Sequence, residues 1–540
     1  PTWSPDGHWL GYVTWSDATG GDVYRVRTDG RGGPVRLTRI PGDYTEPAWA
    51  PDGRRLAVVR EAARVRQEAA GAFNGQGLGA EFVAVPADGG AATVIAPTGG
   101  RRHPHFVAGE ADRIFAYSPQ DGELVSFRWD GTDERTLLKV TGPTLPGARE
   151  PERADQVIMS PKGERAVASL EHNLYVVDVP PVGGAAPTIS VANPSEASFP
   201  VRKLTDVGGE FPEWSADGRQ VHWSLGASHF VYDLDRARAV DDSLRAAARL
   251  RPARDTARVA PDTTGAAAQS RVKPGYHPEE RRVVVTVPRD VPKGVAVLRG
   301  ARVVSMRGDE VIPDADIVIR DNRIAAIGAR GQVAVPTDAH VIDVAGKTIV
   351  PGFVDIHYHS MWLHPNIHSS YVWQYPITLA FGVTTTRDPQ TGTSDVLTYQ
   401  DRVEDGEMVG PRVYSTGPGV FSSTNLKSYE QARDVLTRYA RYYDTHTLKM
   451  YMTGNRQQRE WVIMAAQALG LMPTTEGGLD WKLEMTHVMD GYPGVEHSLP
   501  IEPEYGDVIE LMAKSGTTNT PTLLVSYGGP FAENYWIEHA

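Results

Sequence analysis

One short phrase, repeated through the first half, constrains this chain more than anything else in it. It reads Trp3-Ser4-Pro5-Asp6-Gly7, then Trp49-Ala50-Pro51-Asp52-Gly53, Met159-Ser160-Pro161-Lys162-Gly163 and Trp214-Ser215-Ala216-Asp217-Gly218. A worn copy, His103-Pro104-His105-Phe106, fits between the second and third. The spacing of roughly 45–57 residues is that of sheet-building repeats. The phrase is a turn by its chemistry. Proline presets φ for a tight reversal, and Asp-Gly closes it with residues that tolerate left-handed backbone. Alternating runs flank the turns, such as Trp9-Leu10-Gly11-Tyr12-Val13 and Arg55-Leu56-Ala57-Val58-Val59, with further strand-like runs downstream at Asp22–Val26, Glu81–Val85 and Asn173–Val177. Each copy predicts a four-stranded sheet that needs neighbours to bury its faces.

This phrasing resembles the Tol-type (TolB-like) propeller repeat over residues 1–235. The resemblance implies an all-β propeller. Trp3, Trp49 and Trp214 share one repeat position, which predicts packing between blades. His103 and His105 have metal-like spacing, but they sit at the turn entry of the worn copy and are read as scaffold. The chain opens inside a repeat, without methionine or signal peptide, so further blades are expected before Pro1.

Residues 236–282 change character. Arg245-Ala246-Ala247-Ala248-Arg249-Leu250-Arg251 and Pro261-Asp262-Thr263-Thr264-Gly265 have linker composition, with a short helix possible at the start. The basic run is read as a solvated helix face. Globally, 55 basic against 67 acidic residues give −12, so nothing attracts nucleic acid. No window approaches the ~18 apolar residues that a membrane span needs. The absence of cysteine removes disulfides, thiolate metal sites and cysteine nucleophiles. Any metal must be held by His, Asp, Glu or a modified Lys.

From Val283 the chain turns β-rich again, at Val283–Val287, Gly300–Val304, Ala315–Ile319 and Arg323–Gly328. This predicts a small β-sandwich over 283–350. Then comes Lys347-Thr348-Ile349-Val350-Pro351-Gly352-Phe353-Val354-Asp355-Ile356-His357-Tyr358-His359, an apolar strand ending in His-x-His. Residues i and i+2 of a strand share a face, so both imidazoles can reach one metal.

Here the chain resembles the amidohydrolase superfamily, in particular its imidazolonepropionase-like and prolidase-like members. Further phrases follow in family order: Gly382–Asp388, Pro411–Gly417, Leu448-Lys449-Met450-Tyr451, Met472–Gly477, Gly494-Val495-Glu496-His497 and Thr518–Leu524. Over 351–540 the resemblance implies strands one to seven of a (β/α)₈ TIM-type barrel, whose site lies at the carboxyl ends of its strands. The whole would be multidomain: propeller, linker, sandwich segment and an incomplete barrel. Helical stretches between the strands, Ser428–Tyr443 and Gln457–Leu469, agree with it.

By the resemblance, His357 and His359 hold one metal, and Lys449 becomes a carbamate that bridges to a second. His497 is a further ligand. The fifth strand offers Glu476 where relatives carry histidine, and a carboxylate also suits zinc; His487 is a weaker substitute. The eighth-strand aspartate of relatives and the returning half of the composite sandwich are expected beyond Ala540. The implied function is a hydrolase that cleaves C–N bonds, in amides, cyclic amides or dipeptides, with metal-activated water. One or two divalent ions, most simply zinc, are implied. Tyr451 is a candidate donor to the oxyanion, and His364 and His368 are candidate substrate contacts. Two other classes remain: a binding protein whose propeller recruits a partner beside a degenerate site, and a deaminase on the same fold. An exported location and oligomerisation are expectations from resemblance alone.

Overall fold

The computed structural model describes residues 1–68, 79–180, 184–249, 275–360, 371–392, 395–477, 480–500 and 503–522. His364 and His368 lie outside them.

The first half is five antiparallel sheets in chain order. They begin at Thr2–Trp3, Asp43–Trp49, Arg102–His105, Gln156–Met159 and Glu210–Trp214. Four have four strands; the third has a fifth, Thr188–Ser190, added in parallel to Arg135–Thr141. The repeated phrase forms the turn between the first and second strands. Asp6, Asp52 and Asp217 each accept from a backbone N–H two residues on, at 3.0, 2.9 and 3.0 Å. Gly7, Gly53 and Gly218 follow with φ of 71°, 67° and 65°, where a side chain is strained.

The shared tryptophan position joins sheet to sheet. Trp49 Nε1 donates to Thr2 O (3.2 Å) and Trp214 Nε1 to Ile158 O (3.1 Å), each reaching the preceding sheet. Trp3, at the same position, is 64% exposed. The worn copy links sheets through histidine in the other direction: His105 Nε2 accepts from Met159 N of the following sheet (2.9 Å) while its Nδ1 meets His103 O (2.7 Å). The two bonds fix the tautomer with the proton on Nδ1, and burial pushes this imidazole down to about 4. His103 N donates to Glu46 Oε2 (2.6 Å). Both histidines hold sheets together, as the sequence indicates.

The expected linker is structured at both of its described ends. Leu234–Arg249 is a helix, and Glu279–Arg282 pairs with Ser228–Val231 as the fourth strand of the fifth sheet. The valine run after it is not the strand expected at 283–287. Val283 N still donates to Ala227 O (2.8 Å), but the partner strand begins at Ser228, after the turn at Gly226, so the ladder has nothing further to pair with. Val283, Val284, Val285 and Val287 are exposed.

Val295–Val304, Val311–Arg320, Arg323–Ala329, His340–Asp343 and Thr348–Ile349 form one five-stranded sheet. This sheet occupies the stretch expected to supply one part of a composite sandwich.

Beyond it the strands become parallel and alternate with helices. Phe353–Asp355, Val383–Asp388 and Arg412–Ser415 make a three-stranded sheet. Val420–Phe421, Thr447–Tyr451, Met472–Glu476, Gly494–Glu496 and Thr518–Thr520 make a five-stranded one. The intervening helices are capped as their sequences require. Ser428 accepts from Gln431 N, Asn455 forms a capping box with Gln458, and Gly470 ends its helix at φ 71°. Phe353–Asp355 and Thr518–Thr520 are edge strands among the described residues, and Phe353 and Val354 are exposed.

The two halves share one apolar core. Trp223, Leu225, Phe230 and Tyr232 of the fifth repeat sheet pack in the same cluster as Leu436, Tyr439, Tyr443, Leu448 and Met450. Around it, Tyr443 Oη donates to Glu210 (2.8 Å), Arg438 Nε to Val207 O (2.8 Å), and Arg441 pairs with Glu280 (2.6 Å). Arg438–Tyr443 is a π-helical turn. It leads directly into the strand that carries Lys449.

Candidate active site

On the strand Thr447–Tyr451, Leu448 and Met450 face the shared core. Alternation therefore sends Lys449 and Tyr451 to the other side. The next strand pairs in parallel, with Tyr451 opposite Glu476 and Lys449 opposite Thr474. The strand after that adds Glu496 and then His497. The site is built where these strands end.

Two linked charge clusters result. In one, Glu476 Oε2 meets Lys449 Nζ at 2.7 Å and His497 Nε2 at 3.0 Å. Lys449 is 1% exposed. The Tyr451 hydroxyl also bonds Glu476, and burial, then the Glu476 charge, push it above the ordinary phenol value. In the other, Glu496 meets His357 Nδ1 (2.7 Å) and accepts from Thr474 Oγ1 (2.6 Å) and Arg387 Nη1 (3.2 Å). Ring centres of His357 and His497 stand 5.0 Å apart, and those of His357 and His359 4.9 Å, so the clusters touch.

Burial is the largest influence on both carboxyls and opposes their charge. For Glu476, hydrogen bonds and charge from His497 and Lys449 outweigh it and hold the group at about 2. For Glu496, His357, Thr474 and Arg387 do the same, again to about 2. Burial lowers His357 below its ordinary value, with Glu496 pulling the other way. The clusters are thus anionic carboxylates locked against Lys449, Arg387 and the imidazoles of His357 and His497.

His497 adopts φ 73°, the left-handed region that costs a residue with a Cβ about 1 kcal/mol or more. Its N–H donates to Thr520 O (2.7 Å), its carbonyl accepts from Asn519 Nδ2 (2.8 Å), and Thr522 bonds its Nδ1. The neighbouring edge strand over-determines the strained position.

Five residues expected in the site, His357, His359, Lys449, Glu476 and His497, therefore gather at the strand ends, with Tyr451 against them. His487 does not join. It is fully buried on the helix Trp481–Met489, with Nδ1 3.3 Å from Thr475 Oγ1, and Thr475 faces away from Glu476 along its strand. Three partners were not anticipated. Glu496 and Arg387 orient His357. Asp388, 1% exposed, accepts from Ser360 N (2.7 Å) and Gln390 N (3.0 Å) and meets His359 Nδ1 (3.3 Å). The available signal was a charged residue closing an otherwise uncharged strand end.

The donor chemistry fits a divalent cation. His357 and His359 are each tied back through Nδ1, to a carboxylate and to Asp388 with Gln390 O (3.0 Å). That leaves Nε2 of both without a hydrogen bond among the described residues. Metal-binding histidines are commonly oriented in this way. The set is not closed, however: among the described residues no three His, Asp or Glu side chains are grouped to hold an ion, because Glu476 is engaged with Lys449 and His497.

No protein-family model matches the chain. An 81-residue stretch, 15% of this chain, is 37% identical to an adenine deaminase of Deinococcus deserti, of which it covers 14%. A 52-residue stretch, 10% of this chain, is 42% identical to an imidazolonepropionase of Deinococcus radiodurans, of which it covers 12%. The matched stretches thus span a small part of the relatives' own lengths. A solved Xaa-Pro dipeptidase with bound methionine aligns over 43% of this chain and 67% of its own, at 17% identity and a TM-score of 0.35, too low to carry an argument. These two sequence relatives are amidohydrolase-type enzymes. No helix among the described residues is long and apolar enough to cross a membrane.

Proposed function

We propose that this protein is a metal-dependent hydrolase of the amidohydrolase type that cleaves C–N bonds in small amides, cyclic amides or dipeptides. The observation that carries the reading is the orientation of His357 and His359, both anchored at Nδ1 with Nε2 left over, at the end of a parallel strand beside Lys449, Glu476 and His497. His357 and His359 would hold the ion, with Glu476 and His497 as further donors. A divalent cation there supplies Lewis acidity, polarising a carbonyl and making a water more acidic.

The chain's own groups have separable tasks. Glu496, held by Thr474 and Arg387, fixes the ring orientation of His357. Asp388 does the same for His359. Glu476 is a poor proton acceptor at neutral pH, because a base works best with a pKa near the operating pH and this one lies at about 2. It supplies charge. The Tyr451 hydroxyl beside Glu476 is a donor for an oxyanion at the reacting carbon. Lys449 in its ammonium form neutralises Glu476; carbamate formation requires that this pair open and the amine lose its proton.

The test is metal content by mass spectrometry together with hydrolysis of a panel of Xaa-Pro dipeptides, cyclic amides and aminopurines. Bound metal lost in His357→Ala together with C–N hydrolysis supports the reading. A well-folded protein with no metal and no hydrolysis after zinc loading refutes it, in favour of a binding role. Turnover confined to aminopurines assigns a deaminase.

A further inference from the structure

The fifth repeat sheet carries a pair of histidines remote from the strand-end clusters. Its two faces differ sharply. On one, Val221, Trp223, Leu225, Phe230 and Tyr232 are buried in the shared core. Alternation puts His222 and His229 on the other, where both are half-buried. They lie on adjacent antiparallel strands in diagonal register, His222 opposite Val231 and His229 opposite Ser224.

Their geometry is specific. His222 Nδ1 stands 3.3 Å from His229 Nε2, and the ring centres are 5.3 Å apart. Two imidazoles on one tetrahedral zinc, with Zn–N of about 2.05 Å, keep their nitrogens about 3.3 Å and their ring centres about 5.2 Å apart. Both distances agree with that bite. A direct N–H···N bond, long at 3.3 Å, is the competing reading of the same geometry, and protection by zinc separates the two.

We propose that His222 and His229 form a binding site for a divalent transition-metal ion of the zinc class. This site is separate from the one proposed for hydrolysis and goes beyond that reading. The strands hold both backbones, and the buried opposite face fixes their pitch, so the ligands are pre-arranged. Among the described residues no third His, Asp or Glu belongs to the group. Water therefore completes the coordination, and the ion is exchangeable. The same face offers two carboxylates in register, Glu213 opposite His222 and Glu279 opposite Val231. Imidazole-only donation selects zinc, nickel or copper(II) over magnesium or calcium.

The experiment is residue-resolved histidine modification of the unaltered protein with diethyl pyrocarbonate, read by peptide mass spectrometry, with and without zinc. At zinc tenfold above its dissociation constant, labelling of both His222 and His229 falls about tenfold, in proportion to the free site. Labelling of exposed His340 stays constant, and magnesium in place of zinc changes nothing. Equal labelling with and without zinc, or protection of only one of the two, overturns the proposal and leaves a hydrogen-bonded imidazole pair. Because each histidine is read separately, occupancy at His357 and His359 does not enter. His222→Gln and His229→Gln each lower the zinc count by one per chain, while hydrolysis is retained.

Discussion

The repeat sheets and the parallel sheets keep their charges in opposite places. In the repeats, aspartates sit in exposed turns and spend their hydrogen bonds on the local backbone, as Asp6 and Asp217 do. The sheets are joined by recurring links of one kind, Trp49 to Thr2 and Trp214 to Ile158. In the parallel half, Lys449, Glu476, Glu496 and three histidines are packed together at strand ends, and Glu476, Glu496 and Lys449 are almost wholly enclosed. The first arrangement is redundant: losing one link leaves the others. The second is concentrated: each group depends on its neighbours. Stability is spread in one half and staked on a few side chains in the other.

The sharpest way to break this contrast is at the concentrated end. Lys449→Ala and His357→Ala should each lower kcat/KM by about a thousandfold or more, the scale of losing an essential group. Glu476→Ala should also cost about 3–5 kcal/mol of stability, because it strands a buried ammonium; denaturant titration reads this. A loss under 1 kcal/mol would mean that the cluster is not staked on Glu476.

Within the repeats, Trp49→Ala should cost about 3–5 kcal/mol, since this side chain is 7% exposed. Trp3→Ala, at the same repeat position but open to solvent, should stay within about 0.5 kcal/mol. Equal effects would show that position in the repeat, not burial, sets the cost.

A pH measurement sharpens the comparison further. Glu484 is fully buried on the helix after the strand Met472–Glu476, and neither carboxyl oxygen has a partner among the described residues. Burial, then the charges of Glu476 and Asp480, push it up to about 7. A raised carboxyl binds its proton more tightly folded than unfolded. Its contribution is therefore fully present below about pH 4.5 and lost as pH rises through 7. Glu484→Gln should leave stability at pH 4 nearly unchanged and raise it at pH 8 by up to about 3 kcal/mol. Parallel curves for the two proteins would remove Glu484 from the account.

What the sequence made legible was whatever is decided locally. The turn phrase needed only a few neighbouring residues, and the tryptophan links, to partners 47 and 56 residues away, were legible because the phrase recurs. The helical stretch expected at Ser428–Tyr443 also needed only near neighbours, and it forms as the helix Tyr429–Thr437 and the π-helical turn Arg438–Tyr443. His357 and His359 were found because they end a recognisable apolar strand, and Lys449, Glu476 and His497 because their phrases resemble those of the amidohydrolase superfamily. Glu496 and Arg387 were not, since their significance lies in partners 139 and 109 residues away. The strand at 279–282 was missed for another reason. Glu-Glu-Arg-Arg buries neither face, so no alternation marks it, and only backbone pairing makes it a strand. The valines after it show the converse: β-favouring side chains without a partner edge do not make one.

The apolar cluster common to both halves also bears on how the protein can be taken apart. Tyr439 and Tyr443 are covered by the fifth repeat sheet as much as by their own helix. Cutting the chain between 250 and 275 would leave the strand of Lys449 attached to a greasy, uncovered flank, and the fifth sheet would lose its fourth strand. The repeats are then not cargo carried beside the parallel half. They are half of the wall against which the strand of Lys449 is set, and the two should melt as one.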